Sequence, residues 1–340
     1  MSGNGSHSTS LLSNSGKLFH NFGKQRLVAI GALGVLYLFF CAAGDNFAAY
    51  NTFVSILDSS YYIGFLAIGV TFVVITGGID LSCGTVMVCC ALISGTLYFK
   101  LGVPMWLCLL LCIAMGGLFG FCNGFMVAVM KLPAFIATLG TMMVTRGLGS
   151  IVTATASVTF PQRHADDGWF RGIFKLMGDG LPSGGVPTGF VLLILLAAVM
   201  AFILNKTRPG RYILALGSNK EATRLSGVDV VKWEILAYVV SGLFAGLAAI
   251  AYASIYSTIL PGTGNGFELD GIAGTVIGGT SLSGGVGSIA GTLIGVFIMS
   301  VLRTGLPFVG LQPHYQLFFT GFVLAAAVFA DVLNRRRRKG

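Results

Sequence analysis

Residues 60–99 read SYYIGFLAIGVTFVVITGGIDLSCGTVMVCCALISGTLYF. The runs 60–76 and 83–99 are apolar on every face, and each approaches the roughly 20 residues that a helix needs to cross a bilayer. Between them stands Gly77-Gly78-Ile79-Asp80-Leu81-Ser82, a glycine pair that interrupts a helix, followed by an ionisable residue. An amphipathic surface helix would show a polar face, and neither run has one. The stretch therefore reads as two membrane spans joined through a break.

The same pattern repeats outward in both directions. Apolar runs bounded by charge, Gly or Pro lie at 27–44, 104–130, 133–155, 187–205, 233–257, 268–282, 286–306 and 312–333, ten with the first two. The expected fold is an all-α integral membrane protein of about ten transmembrane helices, a bundle with broken or re-entrant helices. The long run 104–130 and the short run 268–282, headed by Glu268 and Asp270, are where such a break is expected. Of 340 residues 55% are hydrophobic and 10% charged, against about one quarter charged in soluble domains, so no sizeable soluble domain fits. The chain divides into a tail at 1–26, one membrane domain at 27–333 and a basic tail at 334–340.

The net charge of +9 raises nucleic acid as a partner, but the basic residues sit in tails and short loops between apolar runs. That distribution is the positive-inside pattern. With the amino terminus inside, fifteen Lys and Arg fall in the cytoplasm (the leader, Lys131, the 206–232 loop and the carboxyl tail), four fall outside, and Arg146 and Arg303 stay within or beside spans. Both termini are then cytoplasmic, and Arg335 to Lys339 anchor to anionic lipid headgroups. The polar leader carries Lys17, Lys24 and Arg26 ahead of the first run and reads as an uncleaved signal anchor. All seven cysteines lie in apolar segments without metal-ligand spacing, so small buried hydrophobes are expected rather than disulfides or a metal site.

Glycine numbers 49, with helical spacing at Gly116, Gly120 and Gly124, at Gly242 and Gly246, and at Gly287, Gly291 and Gly295. Such faces let backbones approach closely in lipid. Residues 77–84 and 278–285 agree at five of eight positions, a hint of internal duplication in which both copies share one orientation.

Enzyme signatures are missing: the sequence has no G-x-x-x-x-G-K-[ST] loop, no H-E-x-x-H and no G-x-S-x-G, so no catalytic residue is assigned. Asp80 reads either as a gate residue at a helix break or as an ordinary N-cap. Arg303 is expected to snorkel to headgroups and Arg146, deeper in its run, to find an internal partner or cavity. Glu268 and Asp270 suit the first turn of a helix through its dipole. The loop 206–232 is the most informative connection. Asn219 caps a short helix from Lys220 to about Ser226, and Gly227 ends it. With apolar Ala222, Leu225 and Val228, it reads as a docking element for a soluble partner.

These residues carry a resemblance over about 28–333. The chain is similar to the permeases of the ribose-type branch of ATP-binding-cassette sugar importers, through Gly69-Val70-Thr71 and Gly77 to Ser82, Pro133 to Gly140, Gly210-Arg211-Tyr212 and Gly217 to Val228, and Glu268 to Gly285. It departs from the common pattern at Ser218, where relatives carry Gly, and at Cys83, where they carry Val. The resemblance implies a permease of the bacterial inner membrane that pairs with a second copy or a paralogue and encloses a path for a ribose-like pentose or hexose. A periplasmic sugar-binding protein would supply the sugar, and a cytoplasmic ATPase would bind ATP and Mg, leaving this chain without a cofactor. Asn219, Lys220, Glu221, Ala222, Arg224, Leu225 and Gly227 match the coupling helix. The candidates for the path or gate are Asp80, Ser82, Phe135, Thr138 and Arg146. The rival reading is an ion-gradient-driven secondary transporter, for which Asp80, Glu268 and Asp270 are the available carboxylates, all near expected span ends.

Overall fold

A computed structural model describes residues 27–312 and 314–339; the expected tail at 1–26 lies outside the described residues. The first helix, α1, runs over Leu27–Ala43. It is followed by α2 (Tyr50–Ile75), α3 (Cys83–Leu101), α4 (Met105–Ala128) and α5 (Ala134–Thr153). A connection carrying β1 (Val158–Thr159), a 3-10 turn at Asp166–Phe170 and α6 (Arg171–Phe174) leads to α7 (Thr188–Lys206). Then come α8 (Arg208–Ser218), α9 (Lys220–Leu225), α10 (Val230–Ile255), β2 (Thr258–Ile259), α11 (Phe267–Ile277), α12 (Ile289–Phe308) and α13 (His314–Lys339).

Helix α2 is the axis of the bundle, buried without interruption from Ile56 to Ile75. It starts ten residues before the expected span because Asp58, Ser59 and Ser60, which read as an edge, are carried inside. The Ser59 and Ser60 hydroxyls donate to Ile56 O and Leu57 O, which makes them tolerable in an apolar helix. Asp58 accepts from Lys175 Nζ at 2.6 Å, a pair that ties the 154–187 connection to α2. The same connection is pinned by an antiparallel pairing of β1 with β2, Val158 opposite Ile259.

The glycine faces are where helices touch. A Cβ on Gly116 would stand 2.2 Å from Gly242 O, and one on Gly120 would stand 2.3 Å from Tyr238 O, so α4 and α10 meet backbone to backbone. Helices α11 and α12 do the same: a Cβ on Gly291 would lie 2.0 Å from Gly278 O, and one on Gly295 2.0 Å from Gly274 O. Close approach replaces the hydrophobic drive that lipid removes.

Seven helices, α2, α3, α4, α5, α7, α10 and α12, are long and apolar enough to cross a membrane. The other three expected spans, 27–44, 268–282 and 312–333, have shorter apolar helices among the described residues. The run 268–282 becomes the 11-residue α11, about 16 Å long and half the hydrocarbon thickness, because Gly278 ends it and Gly279 takes φ +93°. The apolar parts of α1 and α13 are also short. The long run 104–130 is instead one unbroken helix, α4. The backbone of α13 continues through residues 335–339.

Gly116→Val should push α4 from α10 and cost about 3 kcal/mol through overpacking. Gly140→Ala, in open space on α5, should cost little. Thermal unfolding in detergent checks the contrast, and equal midpoints for the two variants would show that the glycine contact does not hold the pair.

Candidate functional site

Helix α2 ends at Thr76, Gly77 adopts φ +80°, and the chain turns back into the bundle before α3 begins. The turn carries Asp80 to Ser241 Oγ, which donates to Asp80 Oδ2 at 2.7 Å. Ser241 stands near the middle of the 26-residue α10, so Asp80 lies deep rather than at a span end. Its Oδ1 accepts from Ser82 N at 2.9 Å and Ser82 Oγ at 2.7 Å. The carboxylate thus closes a local turn and does not cap α3, whose N-cap position is Ser82.

A chain of hydrogen bonds extends from there. Asn123 Nδ2 of α4 donates to Ser82 Oγ at 2.8 Å, and Thr141 of α5 donates to Asn123 Oδ1 at 2.5 Å. Thr145 donates to Thr85 Oγ1 at 2.9 Å. Four helices, α3, α4, α5 and α10, are joined through side chains that no sequence motif announced. Asn123 was the available signal, an amide inside an otherwise apolar run.

The five residues expected at the path separate into two groups. Asp80, Ser82 and Thr138 are buried, with Thr138 donating to Ala134 O at 2.9 Å. Phe135 is 54% exposed, and Ile136, Met143, Val144 and Ile151 of α5 are also exposed. Arg146 is partly buried on the side of α5 that carries Phe135 and Met143, and its Nη2 donates to Asn265 Oδ1 in the connection between β2 and α11.

Arg303 does not snorkel. Its Nη1 donates to Asp270 Oδ2 at 2.9 Å, and the guanidinium carbon lies 4.6 Å from the Phe267 ring centroid and 5.6 Å from that of Tyr62. Thr320 of α13 donates to Asp270 Oδ1 at 3.2 Å. Asp270 is in the first turn of α11, yet its partner is a cation on α12, and the pair locks α11, α12 and α13 together. Glu268 serves the helix start instead, accepting from Gly266 N at 3.1 Å.

At the end of α10 away from β2 stands the docking element. Asn219 Oδ1 accepts from Ala222 N at 2.9 Å and starts α9, and Gly227 takes φ +79° after its last turn. Lys220 Nζ donates to both carboxylate oxygens of Glu234, at 2.8 and 2.6 Å, fastening α9 to α10. Glu221 and Arg224 pair on the outer surface, and Leu225 is 81% exposed. Helix α8 was missed by pattern reading because Pro209, Gly210 and Gly217 suggest a loop. The signal was Pro209 itself, which suits a first helical turn.

Helix α8 ends in a junction built from main chain. A Cβ on Gly217 would stand 1.7 Å from Ile75 O and 2.5 Å from Gly285 N. Gly285 N donates to Ile75 O at 2.8 Å. A Cβ on Gly284 would lie 2.9 Å from Gly77 N. The two similar segments, 77–84 and 278–285, meet here with the end of α8 against both.

The sequence is similar to those of known proteins over most of its length. The family described as the permease component of branched-chain amino acid transport systems matches residues 52–328. The chain is 37% identical over 302 residues to the ribose import permease protein of Escherichia coli (strain K12), covering 88% of this chain and 91% of that one. It is 32% identical over 295 residues to the fructose import permease protein of Rhizobium meliloti, covering 86% and 81%. It is 33% identical over 318 residues to the autoinducer 2 import system permease protein of Photorhabdus laumondii subsp. laumondii, covering 93% and 91%. With its glycine-packed bundle and seven clear spans, the chain belongs to this permease family, in the ribose-type branch of ATP-binding-cassette importers, as a multi-pass protein of the inner membrane.

Proposed function

We propose that this chain is the membrane path for a small sugar, a ribose-like pentose or hexose, in an importer energised by a separate cytoplasmic ATPase and fed by a periplasmic binding protein. The chain itself does no covalent chemistry; the partner ATPase binds ATP and Mg. The path runs along the outward face of α5, with Phe135 and Arg146 facing it, and closes against a second copy or a paralogue. Asp80, Ser82 and Thr138 stand behind it and hold the gate helices in place. Both termini face the cytoplasm, and the basic end of α13 lies against anionic headgroups.

The observation that carries this reading is the capped element α8–α9. It is fastened to α10 by Lys220, offers Glu221, Ala222, Arg224 and Leu225 outward, and abuts the ends of α2 and of the 278–288 segment through Gly217. A push on α9 therefore reaches two helix breaks without passing through a flexible side chain. Such an element suits a rigid-body switch between two arrangements. An ion-driven transporter would need a carboxylate free to exchange its ion. Of the three candidates, Asp80 is held by Ser82 and Ser241 and Asp270 by Arg303, while Glu268 accepts from Gly266 N through one oxygen.

Glu221→Lys reverses the charge on the docking surface, and Gly227→Val forces a β-branched residue into a left-handed helix end. Both variants should reach the membrane folded and lose transport, with binding-protein-stimulated ATP hydrolysis falling at least tenfold. Wild-type coupling in both would move the docking element elsewhere.

Proteoliposomes holding the chain should accumulate ribose or another small sugar only when binding protein, cognate ATPase and ATP are supplied on their proper sides. Collapse of proton and sodium gradients should leave that uptake intact. Uptake by the chain alone that an uncoupler abolishes and ATP does not affect would favour the ion-driven transporter.

Reporter fusions at residues 1 and 340 should both report the cytoplasm. A periplasmic signal at either end would reverse the assigned orientation.

A further inference from the structure

Arg146 is the thirteenth residue of α5, with about 18 Å of helix before it and about 10 Å after it. Its neighbours on the same side of α5, Phe135, Ile136 and Met143, are all more than half exposed and apolar. None of the four ion pairs among the described residues includes it. Its partner is the neutral amide of Asn265, itself exposed. A guanidinium at this depth facing acyl chains is costly, and intramembrane charges face cavities or interiors instead.

The nearby carboxylate does not cancel it at the open side. Glu268 is buried, accepts from Gly266 N through Oε1, and directs Oε2 at Gly84, where an added Cβ would lie 2.7 Å away. Asp80 points the other way, toward Ser241 of α10. Asp270 is engaged by Arg303. The outward side of α5 therefore presents a guanidinium in an apolar setting, with the Glu268 carboxylate buried behind it, flanked by Thr145 and Thr263, which share a small crevice with it.

We infer that Arg146 is the charge filter of the path, an unpaired guanidinium that admits neutral and anionic solutes and repels cationic ones, with Asn265 as its positioning partner. The inference rests on the path reading above and adds the class of solute. Guanidinium N–H groups donate to sugar hydroxyls without requiring a charge on the solute, whereas an aminosugar carrying an ammonium would meet like charge. In a low-dielectric constriction that repulsion is screened far less than in water.

The test reads the local field with two thiol reagents of similar size and opposite charge. In the importer assembled with its ATPase, Met143→Cys places a thiol one helical turn from Arg146. It is labelled with sulfonatoethyl or trimethylammonioethyl methanethiosulfonate, and modification at position 143 is followed by mass spectrometry. The ratio of anionic to cationic labelling rates should fall about tenfold when Arg146→Gln is added, as removal of a unit charge at roughly 7 Å in a partly aqueous channel requires. Arg146→Lys should restore it. Labelling by both reagents with a ratio indifferent to residue 146 would overturn the filter and leave the path standing. Failure of either reagent to reach position 143 in any variant would overturn the path along α5 and the filter with it.

Discussion

The structure depends on the approach of two backbones at Gly116 and Gly242. Inside lipid, helices gain nothing by hiding apolar surface from one another, since acyl chains are equally apolar, so association rests on dispersion and on the few polar bonds available. Dispersion falls steeply with separation, and glycine is the residue that brings helix axes nearest. Helix α10 is thereby placed against α4, and Ser241, the residue before Gly242, is brought to the depth where the α2–α3 turn delivers Asp80. The α11–α12 glycines do the same for Arg303 and Asp270.

Two buried acids are handled by opposite means. Asp270 is matched to a cation that also lies over aromatic faces, an arrangement rigid in both charge and shape. Asp80 has hydroxyl and amide donors but no cation among its hydrogen bonds. Hydroxyls can rotate and exchange partners, so the Asp80 network tolerates small helix shifts that an ion pair would resist. Irregular backbone at membrane depth is viable only where protein encloses it, and both breaks satisfy this by packing on each other and on α8.

The spans were legible because lipid demands apolar length, and α3, α4, α5 and α7 fall within two residues of the runs read from sequence. The cap at Asn219 and the stop at Gly227 were legible because both act locally. What escaped was set by distant partners. Asp58 looks like a span edge until Lys175, 117 residues away, neutralises it. Arg303 looks free to snorkel until the half-length α11 brings Asp270 beside it. Asp80 looks like a cap until Ser241 claims its second oxygen. Helix α8 escaped for a local reason, since its glycines serve close contact rather than chain reversal.

The junction of Gly217 with Ile75 and Gly285 is made by main-chain atoms, and that has a consequence for how the protein can vary. A contact between side chains has graded alleles: Leu to Val to Ala loosens it by steps. This one has two settings, glycine or collision, because the first carbon added already meets a carbonyl oxygen. A contact that can be adjusted by steps must lie elsewhere, as on the exposed surface of α9 around Glu221 and Leu225, where many residues fit. The junction is kept whole or lost, while the α9 surface can change one residue at a time.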